Sequence, residues 1–236
     1  MKITKFCLLL IAAVSLGFAA KAQTADDVIA KYVDALGGKD KLAQIKSVVT
    51  DASISVMGQD GSSTTTLLVG KGYRSESEIS GSKIIQVYTD KGGWSVNPFA
   101  GSSDPTPLPD EQYQAGKNAI WLGRSLLNYA AMGYKAELLP KDGNNYPIKI
   151  TAGKEVTTYF IDANTYLLNK MVANQSVQGQ DITVTTTLSN YKKTDFGELE
   201  PNKIDIDFGQ FQLAFVVKTV TINKDIDSKI FDMPAK

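Results

Sequence analysis

The chain has 236 residues with 25 basic against 25 acidic side chains, no histidine and a single cysteine, Cys7. Without histidine, serine–histidine pairs and the usual zinc sites are excluded, and loss of Cys7 with the N-terminal segment, residues 1–22, removes cysteine nucleophiles, so an enzyme would have only carboxylate, lysine or tyrosine chemistry to draw on. The neutral balance also lacks the basic footprint that nucleic-acid binding requires.

Lys2 and Lys5 precede an apolar run from Phe6 to Ala20, followed by Ala20-Lys21-Ala22. This order of charged, apolar and small residues is that of a secretory signal peptide, so residues 1–22 are expected to be removed and the exported chain to begin near Gln23. The run falls short of the roughly 20 residues that cross a bilayer, and no second long run follows, which predicts a soluble product. Cys7 lies within the run, away from the position of a lipid-attachment cysteine. Removal takes three lysines and no acid, leaving 214 residues with 22 basic and 25 acidic side chains and no cysteine. Stability must then come from a packed core without disulfides, and the length suits a single domain over 23–236.

Thr24 is a good N-cap, Asp26 and Asp27 suit a first helical turn, and Gly37-Gly38 is a C-cap. Between them Val28, Ile29, Tyr32, Val33 and Leu36 recur at helical spacing. A short second turn, Lys39 to Ile45, follows. From Ser47 to about Val96 the period becomes two, with Ala52, Ile54 and Val56 alternating with polar residues. Breaks at Gln59-Asp60-Gly61, Gly70-Lys71-Gly72, Ser80-Gly81-Ser82 and Asp90-Lys91-Gly92-Gly93 carry turn chemistry, so this half reads as an antiparallel meander entering a proline-rich loop.

Pro109, with Asp110 and Glu111 behind it, opens a helical segment to about Met132. Its apolar residues, Trp121, Leu122, Leu126 and Leu127 among them, surround the helix instead of forming one stripe. Gly116 and Gly123 each cost about 1 kcal/mol relative to alanine in a helix, so two short helices are expected. Such an interrupted apolar insert suits a lid over a sheet. Strands then resume from Tyr134 to Ile222, with strict alternation in Ile204-Asp205-Ile206-Asp207-Phe208. The alternation assigns Asp205 and Asp207 to a solvated outer face, and Glu198-Leu-Glu200, in a turn region, receives the same reading. The predicted fold class is mainly β with helices (α+β): a curved antiparallel half-barrel of about eleven strands, more than an open twisted sheet tends to hold flat, closed by the N-terminal helix and a central helical lid.

The stretch Asp90-Lys91-Gly92-Gly93-Trp94-Ser95-Val96-Asn97-Pro98-Phe99 resembles the "D-G-x-x-L/V-W-x-Y-x-P" signature of the LolA-like family of periplasmic lipoprotein carriers, with Trp94, Asn97 and Pro98 at the matching positions. Residues 159–171 are similar to that family's "F-x-I-D" hairpin, and residues 227–234 to its "D-x-x-x-F-x-x-P" close. The resemblance implies a half-barrel whose apolar concave face holds acyl chains, with no cofactor, metal or catalytic residue. On that reading Ile54, Val56, Trp94 and Val96 line the groove, while Trp121, Leu122, Leu126 and Leu127 belong to the lid. The family's lid-holding arginine would correspond to Arg74, although alternation groups Arg74 with outward-facing Glu76 and Glu78. The resemblance further implies a monomeric periplasmic carrier for an acylated lipoprotein or another lipid, touching membranes transiently, with inner-membrane release machinery and an outer-membrane acceptor as partners. Two alternatives stay open: an envelope sensor or accessory lipid-binding module on the same fold, and a carboxylate-dependent envelope enzyme.

Overall fold

The first helix forms because its ends are satisfied locally. In the computed structural model, which describes residues 23–177 and 180–235, α1 spans Ala25–Leu36 and starts in a capping box: the Asp27 amide donates to Thr24 Oγ1 at 3.2 Å, and the Thr24 amide donates to Asp27 Oδ2 at 2.8 Å. Gly37, at φ 132°, turns the chain so that its amide reaches the Asp34 carbonyl, and α2 (Lys39–Leu42) follows. The expected signal segment, 1–22, lies outside the described residues.

Thirteen strands make one antiparallel sheet, two more than the expected eleven. The first wing holds β1 (Ser47–Val56), β2 (Gln59–Leu68), β3 (Gly72–Ile79), β4 (Ser82–Thr89), β5 (Gly93–Asn97) and β6 (Ser102–Pro107). The second holds β7 (Lys135–Leu138), β8 (Asn145–Ala152), β9 (Glu155–Asp162), β10 (Leu168–Val177), β11 (Gln180–Lys193), β12 (Leu199–Asp207) and β13 (Gln212–Ile222). β6 is the proline-rich stretch read as a loop. Pro105 and Pro107 are tolerated there because β6 is an edge, where a missing N–H breaks no ladder.

Strand order within each wing follows the chain, and the wings meet where β1 pairs with β13, the register shifting at Asp51/Ala52. The two outermost strands, β6 and β7, remain unpaired edges, so the sheet is open and not closed into a barrel. Between β6 and β7 the chain crosses the concave face as α3 (Asp110–Gly116), a 3₁₀ turn (Lys117–Ile120) and α4 (Arg124–Asn128). Gly123, at φ 66°, separates the turn from α4, which realises the expected interruption. No helix among the described residues is long and apolar enough to cross a membrane.

Three apolar clusters hold these layers together. The largest packs Val28, Ile29 and Tyr32 of α1 and Leu126 of α4 onto Ile148, Ile150, Tyr159 and Ile161 of the second wing. A smaller cluster seats Ala119 and Ile120 on Tyr88, with Tyr73 and Tyr113 against it. The third lies on the opposite, convex face, where Ile85, Val87 and Trp94 are covered by Phe231 from the final 3₁₀ turn (Ser228–Phe231).

Candidate functional site

Registers across the seam bring apolar side chains of both wings to one surface. Ala52 pairs with Val217 and Ile54 with Phe215, while Ile204 pairs with Phe215 and with Leu188. Residues directly opposite in antiparallel strands share a face, so one concave wall runs unbroken from β2 to β11. Against it stand Tyr32 and Leu36 of α1 and the helical insert, and the space between is a cavity of about 410 Å³ lined mostly by apolar side chains. That volume falls within the range of roughly 300–1,000 Å³ typical of small-molecule pockets. Among the described residues no group of three or more histidine, cysteine, aspartate or glutamate side chains could hold a metal.

Trp121, Leu122, Leu126 and Leu127 all border the cavity. Leu126 does so as a core residue, 1 % exposed, whereas Trp121 is 39 % exposed at the mouth. The Trp121 ring lies over Gly70, so closely that a β-carbon at Gly70 would stand 3.0 Å from it, and the Gly70 amide donates to the Ile120 carbonyl at 2.8 Å. Here the glycine, at φ 71°, serves both the turn and the approach of the ring. Tyr113 Oη donates to the Thr89 carbonyl at 3.0 Å, and Tyr129 Oη donates to Asp26 Oδ1, which ties the insert to the first wing and to α1. Ile54 and Val56 share the concave face by register, with Ile54 buried beyond the cavity wall.

Trp94 and Val96 correct the sequence reading. Val87 pairs with Trp94, Ile85 with Val96 and Arg74 with Val87, which puts all of them on the convex face, while Tyr73 and its partner Tyr88 point the other way. The β4 run Ile-Ile-Gln-Val-Tyr is apolar on both faces, so alternation alone could not decide the side. Trp94 Nε1 donates to the Phe231 carbonyl at 2.9 Å, and the Phe231 ring covers Gly72 where a β-carbon would collide. Arg74 is likewise engaged on this face. Its guanidinium lies 5.5 Å from the centre of the Trp94 ring, donates to the Ile230 carbonyl at 3.1 Å and pairs with Glu76 at 2.7 Å. It therefore holds the C-terminal segment, on the face of the sheet away from the lid.

A second correction concerns Glu198 and Glu200. Asp205 does lie outward, paired with Lys203 at 3.0 Å between cavity-lining Ile204 and Ile206. Glu198, by contrast, is 1 % exposed, and Glu200 lines the cavity beneath α1. Burial, and then the neighbouring Glu198 charge, push the Glu200 carboxyl up to about 7. The only hint in the sequence was an acid on each side of a leucine just after Gly197, a pattern that surface turns share.

No protein-family model and no curated protein matches this sequence. Solved structures do match. A LolA superfamily protein from Nitrosomonas europaea is 15 % identical, with a TM-score of 0.60 over 89 % of this chain and 98 % of that one. A DUF1329 family protein from Desulfovibrio piger is 13 % identical, with a TM-score of 0.57 over 88 % and 97 %. A protein from Vibrio parahaemolyticus described as an outer membrane lipoprotein-sorting protein domain is 11 % identical, with a TM-score of 0.53 over 88 % and 97 %. These likenesses span nearly the full length of each partner at identities that carry the fold and nothing finer, and on them the chain has a LolA-like fold.

Proposed function

We propose that this protein is a non-enzymatic periplasmic carrier that holds the acyl chain of a lipoprotein or another lipid between its two wings and delivers it toward the outer membrane. The observation that carries this reading is the apolar cavity of about 410 Å³ walled by both wings and by the helical insert. A mostly apolar space of that size is in the range that holds a small apolar ligand, and an acyl chain suits it. Each buried methylene contributes about 0.8 kcal/mol, so such a chain binds firmly without any charged contact. Release follows from movement of the insert, which is held to the first wing by the Ala119, Ile120 and Tyr88 cluster, by Trp121 over Gly70 and by hydrogen bonds from Gly70 to Ile120 and from Tyr113 to Thr89.

The sheet rim beside the seam fits transient membrane contact. Met57, 81 % exposed, caps the β1–β2 turn, and Phe208 and Phe211 stack 4.7 Å apart in the β12–β13 turn next to it. Val56 pairs with Leu213 and with Gln59, which makes the two turns neighbours. The likeness to a lipoprotein-sorting domain supports the lipoprotein as cargo, and the partners we propose for such a carrier are inner-membrane release machinery and an outer-membrane acceptor. Native mass spectrometry of protein isolated gently from its own envelope tests the carrier: an acylated peptide or lipid bound near one per chain supports it. Protein that is consistently empty, and that takes up no acyl chain when one is supplied, refutes it.

A further inference from the structure

An apolar cargo site has no use for a carboxylate, yet Glu200 lines the cavity under α1, and the buried carboxylate of Glu198 lies two residues away from it along the chain. Neither oxygen of Glu198 has a hydrogen-bond partner among the described residues. Its backbone lies against Gly37, where a β-carbon would stand 3.4 Å from the Glu198 Cα. Glu200 faces the cavity two residues further along, close enough that the Glu198 charge raises its pKa. Lys41, which reaches this corner, donates to the Gly197 carbonyl at 3.1 Å instead of to either carboxylate. Tyr191 Oη is committed to the Leu168 carbonyl at 2.7 Å. The ion pairs found among the described residues, Arg74 and Lys83 with Glu76, Lys149 with Glu137 and Lys203 with Asp205, all lie elsewhere.

Burying an ionised carboxylate without a partner is costly, and a well-placed cation reverses that cost. The donor set does not suit a metal, since these two acids find no third ligand of the usual types. A primary ammonium does suit it: three donors on a compact cation can satisfy a carboxylate and a phenol together, and the Tyr32 ring lines the same corner. We propose that the Glu198/Glu200 corner is the head-group site of the groove, and that the ligand is an acyl chain bearing a primary amine, donated to the Glu200 carboxylate with Glu198 behind it. This assignment rests on the carrier reading and narrows it from any acyl chain to an amine-bearing one.

The test is isothermal titration of the purified protein near pH 8 with dodecylamine and dodecanol, each kept below its aggregation limit, in the wild type and in Glu200→Gln and Glu198→Gln. The amine is expected to bind about tenfold or more tighter than the alcohol, the yield of one charge-assisted hydrogen bond. In Glu200→Gln that preference collapses while dodecanol affinity holds, which also shows that the variant is folded. Equal affinities in the wild type, or a preference that survives in both variants, overturn the head-group site and leave the groove intact. Binding of neither amphiphile overturns the carrier reading together with this one.

Discussion

The two tryptophans stand on opposite faces of one sheet and do opposite work. Trp94 is 4 % exposed on the convex face, its ring under Phe231, its Nε1 on a backbone carbonyl and the Arg74 guanidinium above it. Trp121 is 39 % exposed at the mouth of the cavity, and its ring lies against the bare backbone of Gly70. Every polar and apolar surface of Trp94 is already matched by the chain itself, whereas one side of Trp121 faces open volume. A buried aromatic therefore marks a completed contact, and the partly exposed one marks the place a ligand can complete.

That contrast can be broken most forcefully at Leu126, which borders the cavity yet is a core residue 1 % exposed. Leu126→Asp places a carboxylate in that core. Given its burial, an unpaired carboxylate there is expected to cost more than about 4 kcal/mol, and thermal melting should show a chain that is largely unfolded. Trp94→Ala comes next: loss of a buried ring should cost about 3–5 kcal/mol, measured by urea unfolding. Lipid affinity of the molecules that remain folded should be unchanged, because the change lies on the far face.

A smaller effect is expected from Glu200. Its carboxyl sits near 7 when folded against an ordinary value of 4.5, with Glu198 on its own strand, Tyr32 from α1, Tyr191 from β11 and Lys41 of α2 at Gly197 around it. The unfolded chain therefore releases this proton first, so stability is full below about pH 4.5 and falls as pH rises toward 7, by an amount on the order of 1–3 kcal/mol. Urea midpoints of the wild type should drop across that window, and Glu200→Gln should flatten the slope. Last, Trp121→Ala should cost under about 1 kcal/mol of stability, as suits a side chain this exposed, while weakening acyl binding severalfold in a displacement titration.

Much of this architecture is legible in the residues. Thr24, Asp27 and Gly37 announce α1, Gly123 announces the break in the insert, and most of the strands follow from alternation and turn residues. Which face a strand shows is harder. In β1 and β12 polar residues separate the sides, so Ala52, Ile204 and Ile206 are placed correctly by period alone. In β4 both sides are apolar, and in β5 Trp94 and Val96 alternate with Gly93, Ser95 and Asn97 but turn to the convex face, because the C-terminal segment covers that face. That cover comes from residues more than 130 positions away, as the Trp94 bond to Phe231 shows. Arg74 was hard to assign for the same reason, since its partner Ile230 lies as far off in the chain. β6 was hidden by its prolines, and the acidic corner by its likeness to a surface turn.

The central claim, that an acyl chain occupies the space between the wings, is tested most directly by quenching with a brominated acyl chain in two single-tryptophan proteins. Trp94→Phe leaves Trp121 as the reporter, and Trp121→Phe leaves Trp94. Strong, saturable quenching of Trp121 and an undiminished signal from Trp94 are expected. Quenching of Trp94 alone, equal quenching of both, or none of either would contradict the claim.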